Sequence, residues 1–292
     1  MTSTSGNSNE RRSGSTRRHI VLATSGSLLA ALVGSKANAA GPAELFGRSA
    51  VGPSRVLDHR VWDTLLKTYI KPSPAGLNKV NYAAFKKSGH ADLKAYVMGL
   101  EVVDPSTLNR AEQFAFLANL YNAKTIDIVL DRYPVKSIKD ISLGGGLAAA
   151  FSGGPWKAKV VKLGSEDLSL DDIEHGILRQ VFKDPRVHYA VNCASIGCPN
   201  LQIEAWTGGR LDAQLDAAAR AFINHPRGVN VQAGDVRASS IYSWFAADFG
   251  GTDAGVLRHL RKYADTPLRQ QLAKIDTISG YFYDWSLNDV SS

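Results

Sequence analysis

The sequence predicts a helix-rich α+β fold, a single domain with a small, mostly antiparallel sheet. Three observations lead there. Arg110 to Arg132 contains no Gly or Pro and is apolar nearly all round, the pattern of a long buried helix. Shorter segments with helical periodicity flank it on both sides. The β-prone segments are short and do not alternate with helices, so a regular parallel βαβ sheet is not expected.

Taken in order, Leu57 to Tyr69 sets Val61, Leu65, Leu66 and Tyr69 on one helical face, and Pro72 and Pro74 end it. Val80-Asn81-Tyr82 reads as a short extended piece before helical patterns from Ala83 and over Ala91 to Leu100. Asp104-Pro105-Ser106 is a turn, and Asn109 an N-cap for the long helix. Gly144 to Gly154 reads as a surface loop. Its triple glycine lacks a following Lys-Ser/Thr, which argues against a phosphate-binding loop. Lys157 to Leu163 alternates like a half-exposed strand. Ser169 caps a helix running to Phe182, with Asp171 and Asp172 in its first turn. Arg186 to Asn192 is a second strand candidate. A helix spans Leu211 to Asn224, and Val229–Val231 with Val236–Ser239 forms a hairpin around Gly234-Asp235. Helical patterns cover Ser243 to Asp248 and Ala254 to Ala264, and Ile278 to Leu287 is aromatic and β-prone.

The N-terminus has its own logic. Arg17-Arg18 leads into an uncharged run from Ile20 to Val33, about 14 residues and short of the ~20 that span a bilayer. Ala37-Asn38-Ala39 follows, a small-x-small cleavage site. Residues 1–39 are therefore expected to be a twin-arginine signal, 40–56 a linker, and 57–292 one globular domain acting in the periplasm or outside the cell. Of 34 basic and 27 acidic residues, five and one fall within 1–39. The expected mature chain keeps 29 and 26, a net charge of +3 rather than +7. Such a mixed surface makes no case for nucleic acid. No second apolar run long enough to span a bilayer follows, so the mature chain is expected to have no transmembrane segment. The remaining partner class is a small molecule or peptide, and no motif names a cofactor.

Chemistry-bearing residues concentrate in a few places. Glu112, Asn119 and Asn122 share one stripe of the long helix. Buried amides need partners, so the stripe either orients a catalytic group or ties loops to the helix. In Arg186 to Asn192, strand alternation would put His188 and Asn192 on one polar face. Cys193 and Cys198, the only cysteines, follow in a C-x4-C spacing. Outside the cytoplasm a disulfide is the default for them. A catalytic thiol is the second reading: Cys193 as nucleophile, His188 as base, Asn122 or Asn119 as orienting group. A metal site drawing in His175 and His188 is the third. His175 and Arg179 share a helical face, and Asp248 is a carboxylate suited to orient an imidazole or cap a turn.

Several uncommon strings occur together: Glu112-Gln113, Asn119-Leu120-Tyr121-Asn122, Asp184 through Ser195, Cys198-Pro199, Trp244-Phe245, Asp248-Phe249-Gly250 and Tyr283 through Asn288. In this combination the chain resembles the domain of unknown function 547 family over about Asn81 to Asn288. That family in turn looks like a distant relative of the papain and transglutaminase-like group. The family itself implies little about chemistry. A Cys, a His and amides concentrated in the matched segments lead instead to the expectation of a cysteine-dependent hydrolase or acyl transferase acting on amide, peptide or thioester bonds. The competing expectations are a non-catalytic ligand-binding protein braced by a Cys193–Cys198 disulfide, and a metal-binding protein.

Overall fold

Helix α4, Arg110–Arg132, is the axis around which the chain is built. The computed structural model describes residues 42–51, 54–143 and 154–291, and the compact unit runs from Ala40 to Ser292. The expected export signal and nearly all of the Gly144–Gly154 segment lie outside the described residues. Asn109 takes the N-cap of α4, its side chain accepting the Glu112 amide at 2.9 Å. Phe116, Leu117, Leu120 and Val129 on α4 are fully buried. A helix apolar on every side must be wrapped on every side.

Helices α1 (Arg60–Tyr69), α2 (Tyr82–Ser88) and α3 (His90–Glu101) cover one flank, with α3 against α4. Helix α5 (Asp172–Phe182) covers another and is wound as a π-helix rather than the expected α-helix. Ser169 caps it as anticipated, its hydroxyl accepting the Asp172 amide at 3.1 Å. Beyond it come α6 (Val187–Ala190), α7 (Leu211–Ile223), α8 (Ile241–Trp244), α9 (Asp253–Tyr263) and α10 (Thr266–Leu272).

Among the described residues the strands form three small sheets. β1 (Ile70–Pro72) and β2 (Asn78–Val80) pair antiparallel, as do β3 (Val161–Leu163) and β4 (Glu166–Leu168). β5 (Val229–Gln232) and β6 (Asp235–Ser239) form the expected hairpin, and β7 (Gly280–Phe282) joins β6 in parallel. Ala233 and Gly234 both take positive φ in the two-residue turn, the condition for a twist that matches the strands. The architecture is thus helix-rich α+β. Among the described residues no helix is long and apolar enough to cross a membrane.

Two expectations are corrected. Residues 42–51 are not a free linker. Phe46 is fully buried and stacks on Phe116 at 6.4 Å, while Arg110 donates to the Phe46 carbonyl and Gln113 to that of Arg48, both at 2.6 Å. Nor is Arg186–Asn192 a strand, because Val187–Ala190 turns into helix. Pro185 sets a turn-compatible φ, the Asp184 carboxylate accepts the Arg186 amide at 2.9 Å, and its carbonyl accepts that of Val187 at 3.1 Å. This local capping outweighs the β preference of Val187, Tyr189 and Val191. The expected common face of His188 and Asn192 disappears with the strand. Arg186 turns to Asp184, Asp212 and Asp216, while His188 and Asn192 are buried.

Candidate active site

The cysteines lie on a loop held from behind by amides. Asn122 donates to the Ala190 carbonyl and accepts the Asn192 amide, both at 2.8 Å. The Asn192 side chain donates to the Pro199 carbonyl at 2.7 Å and accepts the Ala194 amide at 2.9 Å. That second bond closes a tight turn directly after Cys193, with Ala194 at φ 62°. The C-terminal segment then crosses the loop. Ile196 donates to the Ser286 carbonyl and Gly197 to that of Asp284, both at 2.8 Å. Only glycine fits at 197, since a Cβ would stand 2.8 Å from the Asp284 nitrogen and 2.9 Å from its oxygen. This crossing delivers Tyr283 to both thiols.

The two cysteines are free thiols side by side, not the disulfide expected by default. The Cys193 amide donates to Cys198 Sγ at 3.0 Å, and the Tyr283 hydroxyl lies 3.1 Å from each sulfur. Ser195 donates to Tyr283 at 2.9 Å. Burial pushes the Cys198 thiol up, but hydrogen bonds from Cys193, Tyr283 and Ser195 outweigh it and bring it down to about 7. The same contact with Cys198, reinforced by burial, holds the Cys193 thiol well above its ordinary value. Cys198, whose sulfur receives the backbone N–H, is thus the more acidic of the two thiols. Cys193 is half-buried and more accessible, while Cys198 is 4% exposed.

Across the pocket stands a fixed imidazole. His188 Nε2 donates to Asp248 Oδ2 at 2.7 Å, and Arg179 clamps the same carboxylate at 2.6 and 3.1 Å. The His188 hydrogen bond holds the Asp248 carboxyl far below the usual carboxylate range, with burial opposing it and Arg179 assisting. Phe245 stacks on the His188 ring at 4.3 Å. Asp171, at the N-cap of α5, and Glu174 and His175 on it also line the pocket. Glu174 Oε1 is 3.9 Å from His188 Nδ1 and 3.8 Å from His175 Nδ1. Asp248 sits on a single helical turn, Ala246–Phe249, ended by Gly250 at φ 98°.

Cys193, Cys198, Tyr283, Glu174, His175 and His188 share one open cavity of about 220 Å³. Its mouth is aromatic. Trp244 stacks on Trp285 at 5.7 Å, Tyr283 approaches Trp285 at 4.7 Å, and Trp244 is 49% exposed. Apolar walls around convergent polar groups are the usual make-up of a small-ligand site.

Residues 105–223 match the model of the family described as Protein of unknown function, DUF547. The chain carries a DUF547 domain. Neither the curated proteins nor the solved structures include a match. The matched DUF547 span holds α4, α5 and the cysteine loop, whereas Asp248, Tyr283 and the Trp244–Trp285 mouth lie beyond it.

The α4 stripe of this DUF547 domain ties loops together. Asn119 donates to the Trp206 carbonyl at 2.8 Å and accepts its amide at 3.0 Å, with His59 at 3.3 Å. Glu112 accepts the Gly208 amide at 3.1 Å, and burial pushes its carboxyl up. Neither lines the pocket, and Asn122 reaches it only through the loop it supports. The group bonded to His188 is Asp248, not Asn122 or Asn119. Among the described residues, Cys193, Cys198, His175 and His188 do not bring their ligand atoms together at metal-ligand spacing. Among the described residues, His90, Asp127 and Asp131 cluster at ligand spacing, but Lys94 and Lys124 already bond those carboxylates. Sequence reasoning missed Glu174 and the Tyr283 contact with the thiols. The Tyr283-Asp284-Trp285 string stood out, yet nothing local showed that it crosses the cysteine loop.

Proposed function

We propose that this pocket is the active site of a cysteine-dependent hydrolase or acyl transferase acting on amide, peptide or thioester bonds. The observation that carries the reading is one cavity lined both by two adjacent thiols and by an imidazole fixed on a carboxylate. Cys193, the reachable sulfur, attacks the substrate carbonyl carbon, and its proton passes to the Cys198 thiolate. The leaving group departs with a proton from His188 through Nδ1, the nitrogen that Asp248 leaves open. Water or another acceptor then attacks the thioester, returns a proton to His188, and releases Cys193, which recovers its proton from Cys198. The likeness to the papain and transglutaminase-like group is in keeping with this, with Asp248 as the orienting group.

Intact-mass trapping tests the reaction. Incubated with a panel of activated esters, thioesters and peptide anilides, the reduced protein should accumulate an acyl adduct on Cys193. Absence of any Cys193 adduct across the panel, with both thiols intact, overturns the reading.

We also infer export by the twin-arginine route to the periplasm or beyond, supported by Arg17-Arg18, the short apolar run and Ala37-Asn38-Ala39. Arg17→Lys with Arg18→Lys should leave the protein in the cytoplasm, and normal export of that variant would refute it. A non-catalytic ligand-binding role is the second reading, favoured by the exposed aromatic mouth. Thermal shifts with cell-wall fragments and metabolites that survive Cys193→Ser, together with retained biological function, would select it.

A further inference from the structure

Tyr283 follows β7 directly, and both thiols converge on its hydroxyl, 3.1 Å from the Cys193 sulfur and 3.1 Å from that of Cys198. The ring is held in place. It packs against Trp244 at 4.8 Å and Trp285 at 4.7 Å, and its Cδ1 would lie 3.0 Å from a Cβ at position 197. Ser195 donates to the Tyr283 oxygen at 2.9 Å, so the phenol's own proton is free to point at a sulfur. Lys157, Asp171, Glu174, His175 and His188 also line the cavity, yet among the described residues none of them hydrogen-bonds either sulfur. A proton leaving Cys193 therefore meets a hydroxyl before it meets a charged side chain. We propose that Tyr283 is a catalytic residue, whose hydroxyl takes the Cys193 proton as it gives its own to the Cys198 sulfur.

The step balances. The S–H bond of Cys193 breaks as an O–H bond forms on Tyr283, and the original O–H bond of Tyr283 breaks as an S–H bond forms on the Cys198 thiolate. The phenol is neutral before and after, and the net change is one proton moved between sulfurs. At the end the new O–H faces the Cys193 thiolate, so the hydroxyl donates to whichever sulfur holds the charge. Burial, and after it the charge of the two cysteines, holds the phenol well above its ordinary value, so it keeps a proton to donate at neutral pH. Ser195 is the rival for this role, since its hydroxyl also lies 3.2 Å from the Cys193 sulfur. The inference rests on the proposed reaction, in which Cys198 receives the Cys193 proton.

The test reads the thiols of the reduced full-length protein and needs no acyl donor, so this role and the acyl chemistry can fail separately. Thiolate ultraviolet absorbance should show a first transition at about 7 in the parent. Tyr283→Phe keeps the ring and removes the hydroxyl. It should raise that transition by about one unit and slow iodoacetamide labelling of Cys193 at pH 7 by about 5-fold or more. Lost packing alone would act the other way, because a loosened loop labels faster. A folded Tyr283→Phe protein that titrates like the parent, or labels Cys193 faster, overturns the proposal. Ser195→Ala should shift the transition less than Tyr283→Phe does; a larger shift gives the role to Ser195 and overturns it too. Should Tyr283→Phe fail to fold, the parent is titrated with carbon-13 at the tyrosine Cζ positions. One tyrosine resonance should move with the first thiol transition, and tyrosine resonances that all stay flat through it overturn the proposal.

Discussion

Asp248 Oδ2 accepts hydrogen bonds from His188 at 2.7 Å and from Arg179 at 2.6 Å, so one carboxylate oxygen fixes the imidazole and is itself fixed by a guanidinium. Asp248→Asn keeps the shape but weakens both bonds. Turnover should fall by about 10²-fold or more, with little change in thiol labelling. An unchanged kcat would show that Asp248 does not orient the working imidazole.

The same carboxylate gives a pH signature. Its folded pKa is depressed, so its stabilisation is fully present above the unfolded value of about 3.9 and is lost as pH falls toward the folded one. Tm of the parent should therefore drop more steeply on acidification below about pH 4 than that of Asp248→Asn. Parallel acid limbs would contradict this.

Both cysteines should alkylate without prior reduction, Cys193 faster because it is the more accessible. Cys193→Ala should abolish acyl transfer, while Cys198→Ala slows it by about 10- to 100-fold through loss of the proton acceptor. Mass spectrometry of the labelled protein checks the order. Two thiols that resist labelling until reduced would restore the disulfide.

Asn122→Ala removes two bonds to the main chain and strands a buried amide and a buried carbonyl. Urea unfolding should show a loss of about 2–4 kcal/mol, with faster labelling of both thiols as the loop relaxes. Unchanged stability would mean that the loop is held by other contacts.

Trp244→Ala separates binding from folding. At 49% exposure it should change stability by less than about 1 kcal/mol yet raise KM, or weaken a bound ligand, by about 5-fold or more. Phe46→Ala is the converse. It should cost about 3–5 kcal/mol, because the ring is fully buried against Phe116, and leave pocket chemistry intact in the folded fraction. Wild-type stability there would undock residues 42–51.

How much was legible follows the range of the interactions. Arg110–Arg132, with its Asn109 cap, and the β5–β6 hairpin are written in local periodicity and turn chemistry. A few residues of sequence therefore suffice to read them, and so does the helix-rich α+β class. His188 and Cys193 were recognisable as candidates because an imidazole and a thiol stand so near each other in the chain, and Asp248 only as a carboxylate suited to orient an imidazole. The strand reading of Arg186–Asn192 failed because it weighed β preference and overlooked Asp184-Pro185, a two-residue cap that winds the chain the other way.

Pairing was a different matter. Whether His188 is oriented by an amide or a carboxylate depends on a contact 60 residues long, and the thiols meet Tyr283 across 85 and 90 residues. Such contacts are set by how α4 is wrapped and where the C-terminal segment crosses the cysteine loop, and nothing in the local sequence specifies either. Residue chemistry and short-range capping thus belong to the sequence. Which group charges, orients or buries which was decided only when burial forced each polar atom to find the one partner within reach.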